Sequence, residues 1–157
     1  MPKISRKASV NLSIAFAVLF MLIIIAAAVI MPALANLLID TPDNIGSRND
    51  ISPSGRAFIL FISYTILADT ATIDILVFLL LRRVKHGLVF TDTSVALIRY
   101  ISWGAICFGV LFAILGRWFQ LAYALAFAGL FLGVTIRVVK NVIEEATEIK
   151  GENDLTV

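Results

Sequence analysis

The feature that most constrains this chain is a series of four long apolar segments, over residues 12–38, 57–81, 95–116 and 119–143. A helix needs about 20 apolar residues to cross the roughly 30 Å hydrocarbon core of a bilayer, and each segment is long enough. Because lipid offers exposed backbone groups no hydrogen-bonding partner, each segment should be a helix. The pattern predicts an all-α integral membrane protein, a single domain over residues 1–157 built as an antiparallel bundle of four transmembrane helices.

Composition excludes the other broad classes of protein. The chain has 157 residues, of which 60% are hydrophobic and 15% are charged. An ordinary soluble domain is about 45–50% apolar and about 25% charged. A compact domain of this size still exposes a large share of its chain, so it could not hide this much apolar surface from water. A soluble globular domain, a disordered chain and a module that binds nucleic acid directly are therefore excluded.

The first segment also has features of a cleavable signal peptide, because Lys3, Arg6 and Lys7 precede an apolar stretch. The uninterrupted apolar stretch over residues 14–31 is longer than the core of a signal peptide, which has about 7–15 residues. We therefore expect the segment to be retained as the first transmembrane helix.

The distribution of positive charge predicts how the four helices cross the membrane. Of the 13 lysines and arginines, all except Arg48, Arg56 and Arg117 fall on one side of the four spans. Lysine and arginine in short loops favour the cytoplasmic side. We expect a multi-pass protein of the plasma membrane with both termini and the loop after the second span in the cytoplasm.

Three ionisable residues inside the spans are candidate functional residues, because charge is costly in hydrocarbon. They are Asp69, Asp74 and Arg99. At 1.5 Å per residue, Asp74 lies about 12 Å inside the end of its helix, and Arg99 lies about 8 Å inside the end of the next helix. Because these helices are antiparallel neighbours, we expect an ion pair between Asp74 and Arg99. The pair would either fix the register of the two helices or take part in function.

Asp69 lies deeper than these two, about 20 Å from the same end of its helix. The other spans contribute no charged residue at that depth. Three interpretations are open. Asp69 is a neutral acid that hydrogen-bonds between helices, a residue that lines a shallow outer cavity, or a site that responds to protons or cations. The last interpretation would make the chain a small oligomeric transporter or channel.

Gly129 and Gly133 form a GxxxG pattern in the fourth span. Small residues at this spacing let two helix backbones approach closely. The pattern has two possible uses, namely packing inside the four-helix bundle or the contact face of a homodimer.

The side predicted to be cytoplasmic carries charged residues that could contact lipid headgroups or a partner protein. Arg82, Arg83 and Lys85 follow the second span and suit anionic headgroups. Beyond the fourth span, a helical spacing of apolar residues continues to residue 149. It predicts an amphipathic tail over residues 144–157, whose carboxylates include Glu144, Glu145 and Glu148.

Two short pieces on this side favour extended structure, namely residues 88–90 and residues 154–157. They could pair as a tiny two-stranded β element that caps the bundle. Gly151, which precedes the second piece, is expected to end the fourth helix.

No group of residues typical of an enzyme is visible. The chain has one cysteine, Cys107, and one histidine, His86, so it can form neither an internal disulfide nor an ordinary zinc or haem site. A nucleophile–base pair and a glycine loop for phosphate are also missing. We expect a protein that is not an enzyme and that has no catalytic residues, metal or cofactor.

Two motifs on the predicted cytoplasmic side carry a family resemblance. Gly87 and Phe90, followed by residues 97–101, form the first, and Asp154, Leu155 and Val157 stand in the second. They resemble the G-x-x-F … L-R-x-I element and the closing E-N-D-L-T-V/I signature of a bacterial membrane family known as "domain of unknown function 2975".

This resemblance covers nearly the whole chain. It implies a protein of the bacterial inner membrane, and it carries over no catalytic residues because the family has no established activity. Members often lie beside a small helix-turn-helix regulator. The resemblance therefore implies a membrane sensor or regulator that acts on such a cytoplasmic partner.

Overall fold

The computed structural model describes residues 6–40 and 51–155, with side chains placed for residues 8–40 and 51–152. These residues form four helices, α1 (Arg6–Asp40), α2 (Pro53–Lys85), α3 (Asp92–Leu115) and α4 (Ala122–Leu155). Each helix is long and apolar enough to cross a membrane. The predicted all-α fold of four membrane-spanning helices is confirmed. Lys3, Arg48 and Val157 lie outside the described residues.

The helices pack in chain order, each antiparallel to the next. The hydroxyl of Tyr64 in α2 donates to the carbonyl of Ala28 in α1 at 3.2 Å. Arg56, near the beginning of α2, pairs with Asp40, the last residue of α1, at 2.6 Å. Further contacts join α2 to α3 and α3 to α4. Among the described residues, the backbones of α1 and α4 do not approach each other closely, so the bundle is open along that side.

The backbones of α3 and α4 approach each other closely at two glycines. A Cβ atom on Gly129 would lie 2.9 Å from the backbone nitrogen of Gly109, and one on Gly133 would lie 3.0 Å from that of Ile106. The buried hydroxyl of Ser102 donates to the carbonyl of Gly133 at 2.8 Å. The GxxxG pattern therefore packs inside the chain against α3. A homodimer, which stays a prediction, would need another surface.

The connection between α2 and α3 is a short ordered turn. Gly87 takes a φ of +78°, a left-handed conformation that a side chain would strain. Thr91 caps α3, with its hydroxyl accepting from the backbone nitrogen of Ser94 at 3.4 Å. The hydroxyl of Ser94 in turn donates to the carbonyl of Leu88 at 2.7 Å, which fixes the turn to the first turn of α3.

The predicted β element is wrong as far as the described residues go. Residues 88–90 lie in the irregular turn, and residues 154 and 155 belong to α4. Gly151 does not end the helix, as the sequence suggested, because α4 continues to Leu155. A glycine inside a helix costs only about 1 kcal/mol relative to alanine, and strong helix formers flank this one.

Candidate functional site

A cluster of charged side chains links α3 to α4 where α4 leaves its apolar stretch. The guanidinium of Arg99 donates to one carboxylate oxygen of Glu144 at 2.9 Å, and the ammonium of Lys140 donates to the other at 2.6 Å. One helical turn earlier, the guanidinium of Arg137 lies 5.0 Å from the ring centre of Trp103. These contacts fix the beginning of the polar part of α4 against α3.

The predicted ion pair between Asp74 and Arg99 is wrong. Asp74 lies on the side of α2 that faces α1, where it lines a cavity with Met21 and Phe78. Arg99 points the other way, toward Glu144 of α4. Counting residues gives the depth of a side chain, but the direction around the helix depends on which neighbour packs on which face.

Asp69 lies on a different face of α2, toward α3. It is five residues from Asp74, which is about 140° around a helix. A Cβ atom on Gly104 of α3 would lie 3.9 Å from the Oδ1 atom of Asp69. The Oδ2 atom of Asp69 is buried and has no hydrogen-bond partner among the described residues. The three interpretations of Asp69 therefore stay predictions.

The hydroxyls near Asp69 do not supply the missing partner. Thr65 donates to the carbonyl of Phe61 at 2.9 Å and Thr70 to that of Ile66 at 2.7 Å. Thr72 follows the same pattern with a carbonyl of its own helix. Each hydroxyl therefore already donates its hydrogen bond to the backbone carbonyl four residues earlier.

The charged cluster borders a polar groove of about 250 Å³ between the start of α3 and α4. Its polar lining consists of Asp92, Arg99, Glu144, Thr147 and Glu148. Carboxylates from both helices thus face one groove, with the guanidinium of Arg99 as its cation. Among the described residues, no group of three or more histidine, cysteine, aspartate or glutamate side chains could hold a metal ion.

The basic residues that end α2 lie at this same end of the bundle. Arg82, Arg83 and Lys85 occupy the last turn of α2, where positive charge offsets the negative end of the helix dipole. The guanidinium of Arg82 lies 6.0 Å from the ring centre of Phe78. Contact of these residues with lipid headgroups stays a prediction.

The charge cluster changes the acidity of Glu144, which follows the apolar stretch of α4. The hydrogen bond from Lys140 is the main cause that holds the pKa of Glu144 below its ordinary value of 4.5. Desolvation opposes this effect, and the charges of Lys140 and Arg99 add to it. The carboxylate therefore stays ionised to lower pH in the folded chain than in the unfolded chain.

We expect this cluster to make stability depend on pH. A carboxylate with a lowered folded pKa stabilises the fold above its unfolded pKa, and this contribution is lost as pH falls through the folded pKa. The unfolding free energy should therefore fall more steeply below about pH 4.5 in the wild type than in Glu144→Gln. Unfolding of both proteins by a denaturing detergent at a series of pH values measures this difference in unfolding free energy.

Glu145→Gln is the matched control, because it removes the same charge one position along, from a side chain with no ion pair in the described part of the chain. It should keep the pH dependence of the wild type. Equal slopes for the wild type and Glu144→Gln would contradict the expectation.

Comparison with known protein families gives a match over most of the chain. Residues 54–157 match a protein family described as "Protein of unknown function (DUF2975)". The matched range contains the charged cluster, the turn between α2 and α3, and the whole of α4. No curated protein and no solved structure matches the chain.

Proposed function

The chain belongs to the DUF2975 family of proteins of unknown function, and we propose that it is a non-enzymatic membrane regulator that acts on a soluble cytoplasmic partner. The docking surface would be the polar part of α4, residues 144–155. The observation that carries this proposal is that α4 continues as a helix well beyond its apolar stretch, with its base fixed by the pairs of Glu144 with Arg99 and Lys140.

The geometry of the polar part of α4 supports a docking role. At 1.5 Å per residue, residues 144–155 add about 18 Å of helix. Asp92, at the start of α3, lies in the groove beside Thr147 and Glu148. Residues 148–152, which follow that level, are exposed. A helix that is fixed at its base and exposed beyond it can present side chains to another protein.

The charge of this segment favours a basic partner. Glu145 and Glu148 are exposed, and Glu145 makes no ion pair with the described residues. A helix-turn-helix regulator carries a basic surface with which it binds DNA phosphates. An acidic helix that covers this surface would compete with DNA, so docking at the membrane would lower the regulator's occupancy of its operator. The predicted cytoplasmic position of both termini would place the helix within reach of the regulator.

The test is direct binding between the full chain in lipid nanodiscs and the purified helix-turn-helix regulator that the family resemblance implies as its partner. The double reversal Glu145→Lys, Glu148→Lys should weaken binding at least tenfold, because each change replaces an attractive charge with a repulsive one. Titration with the labelled regulator at two salt concentrations measures the affinity, which should fall at higher salt.

The control is Arg117→Glu, a charge reversal in the turn between α3 and α4 at the opposite end of the bundle. It should leave binding unchanged. No binding by the wild type, or equal binding by the double reversal and the wild type, would contradict the proposal.

A second candidate function is a small oligomeric transporter or channel for protons or cations that uses Asp69. The observation in its favour is the buried Oδ2 atom of Asp69, which has no hydrogen-bond partner among the described residues. Such a carboxyl inside a membrane is a candidate for binding a proton or cation. Its signature would be a flux in proteoliposomes that is lost in Asp69→Asn.

A further inference from the structure

We propose that a cavity lined by all four helices binds a small neutral lipophilic molecule with one oxygen atom, such as a phenol or an alcohol with an apolar body, through the hydroxyl of Ser63. This inference does not depend on the docking surface of α4. The cavity measures about 330 Å³. Its lining includes Met31 and Ala35 of α1, Ile59 and Ser63 of α2, Phe112 of α3 and Ala122 of α4.

The floor of this cavity lies inside the bundle. Ala35, Ile59 and Ala122 are buried, although the backbones of α1 and α4 do not approach each other closely. The cavity therefore occupies the gap between α1 and α4, with α2 and α3 behind it. A ligand in this gap would contact two helices that otherwise stay apart.

Ser63 is the one residue of the lining with a polar side chain. It is 8% exposed, and its hydroxyl makes no hydrogen bond with any residue that the structure describes. Each other serine and threonine hydroxyl inside the four apolar segments donates to a backbone carbonyl, as those of Thr65 and Ser102 do. Unlike the enclosed Oδ2 atom of Asp69, the Ser63 oxygen retains accessible surface, which opens into the cavity.

This hydroxyl defines the chemistry of the ligand. A polar group without a partner is costly inside a bilayer, because hydrocarbon offers it no hydrogen bond. An oxygen of the ligand would supply that bond, since a serine hydroxyl can both donate and accept. No ionisable side chain lines the cavity, which favours a neutral ligand. The acyl chain of a lipid would fill the space but leave the hydroxyl unsatisfied.

The size of the cavity suits a ring with a short chain. An apolar cavity of about 150 Å³ can hold one benzene molecule, and this cavity of about 330 Å³ is roughly twice as large. Leu121 and Leu125, which also line it, are exposed and form its mouth. Ser63 lies ten residues after Pro53, the first residue of α2, and therefore about 15 Å from that end of the helix. A ligand would enter from the half of the bilayer on the side predicted to face outside.

The test is calorimetric titration of the full chain in zwitterionic lipid nanodiscs with para-butylphenol, with the signal of empty nanodiscs subtracted. The wild type should bind the phenol, and Ser63→Ala should weaken binding about fivefold, the usual effect of losing one neutral hydrogen bond. Thr65→Val is the matched control on the same helix, because the hydroxyl that it removes already donates to the carbonyl of Phe61. It should bind as the wild type does.

The isostere para-butyltoluene, in which a methyl group replaces the hydroxyl, separates hydrogen bonding at Ser63 from simple partition into an apolar space. It should bind the wild type more weakly than the phenol does, and should bind Ser63→Ala as it binds the wild type. Four results would overturn the proposal: no binding of the phenol by the wild type, unchanged binding by Ser63→Ala, equal loss of binding in Thr65→Val, or isostere binding as tight as that of the phenol. The last result would mean that any hydrocarbon, including a lipid chain, fills the cavity.

Discussion

Replacing Gly129 with leucine is expected to lower the free energy of unfolding by about 3 kcal/mol, the upper part of the usual range for overpacking. The new Cβ atom would lie 2.9 Å from the backbone nitrogen of Gly109 and 3.0 Å from its Cα atom. Backbone atoms cannot turn aside as a flexible side chain can, so α3 and α4 would have to separate. Their separation would also strain the hydrogen bond from Ser102 to Gly133.

The measurement is reversible unfolding in mixed micelles by a titration with a denaturing detergent. Gly151→Leu is the matched control, because a Cβ atom on Gly151 would meet nothing within 4 Å. Since leucine favours a helix over glycine by roughly 0.8 kcal/mol, the control should be as stable as the wild type or slightly more stable. Equal stability of the two variants would show that the helices do not meet at Gly129.

Replacing Ser94 with valine is expected to cost about 2 kcal/mol, because it removes a buried hydroxyl that joins the turn to α3. Ser94 is 1% exposed, and its hydroxyl both donates to the carbonyl of Leu88 at 2.7 Å and contacts the hydroxyl of Thr91 at 3.0 Å. Valine would leave the carbonyl without this donor and would add a methyl group to a filled space.

Thr93→Val is the comparison for this second change, since Thr93 is exposed in the same turn of α3. It should alter the unfolding free energy by less than about 0.5 kcal/mol, as is usual for surface positions. The same unfolding titration measures both variants. A Ser94→Val chain as stable as Thr93→Val would mean that the turn between α2 and α3 does not depend on this hydroxyl.

The helices could be predicted from the sequence because each rests on one strong physical constraint. An apolar segment that is long enough to span a bilayer must satisfy its backbone internally, so length and composition sufficed for α1 to α4. The end of α4 was less predictable. Gly151 and the apolar residues after it suggested a stop and a strand, but a helix can continue through a glycine at a cost of only about 1 kcal/mol. Gly87 follows α2 in a left-handed conformation with φ at +78°, and Gly116 caps α3 with φ at −58°, whereas α4 continues through Gly151 to Leu155.

The partners of the intramembrane charges could be predicted only in part. Counting residues placed Asp74 and Arg99 at similar depth, but depth does not say which neighbouring helix a side chain faces. A stronger signal was present in α4, where Lys140 and Glu144 stand four residues apart as an ion pair on one helix face. Gly109 of α3 lies against Gly129, and this antiparallel register brings Arg99 to the level of these two residues. That register depends on how the helices pack, which a local sequence pattern does not predict.

The central claim, that the polar part of α4 docks a soluble regulator, is tested most directly by site-specific photocross-linking in intact membranes. A benzophenone side chain at position 148 should form a covalent adduct with the helix-turn-helix regulator proposed as the partner, identified by its mass. The same probe at position 117, in the turn between α3 and α4, should form none. Adducts with the regulator at both positions, or at neither, would contradict docking on α4.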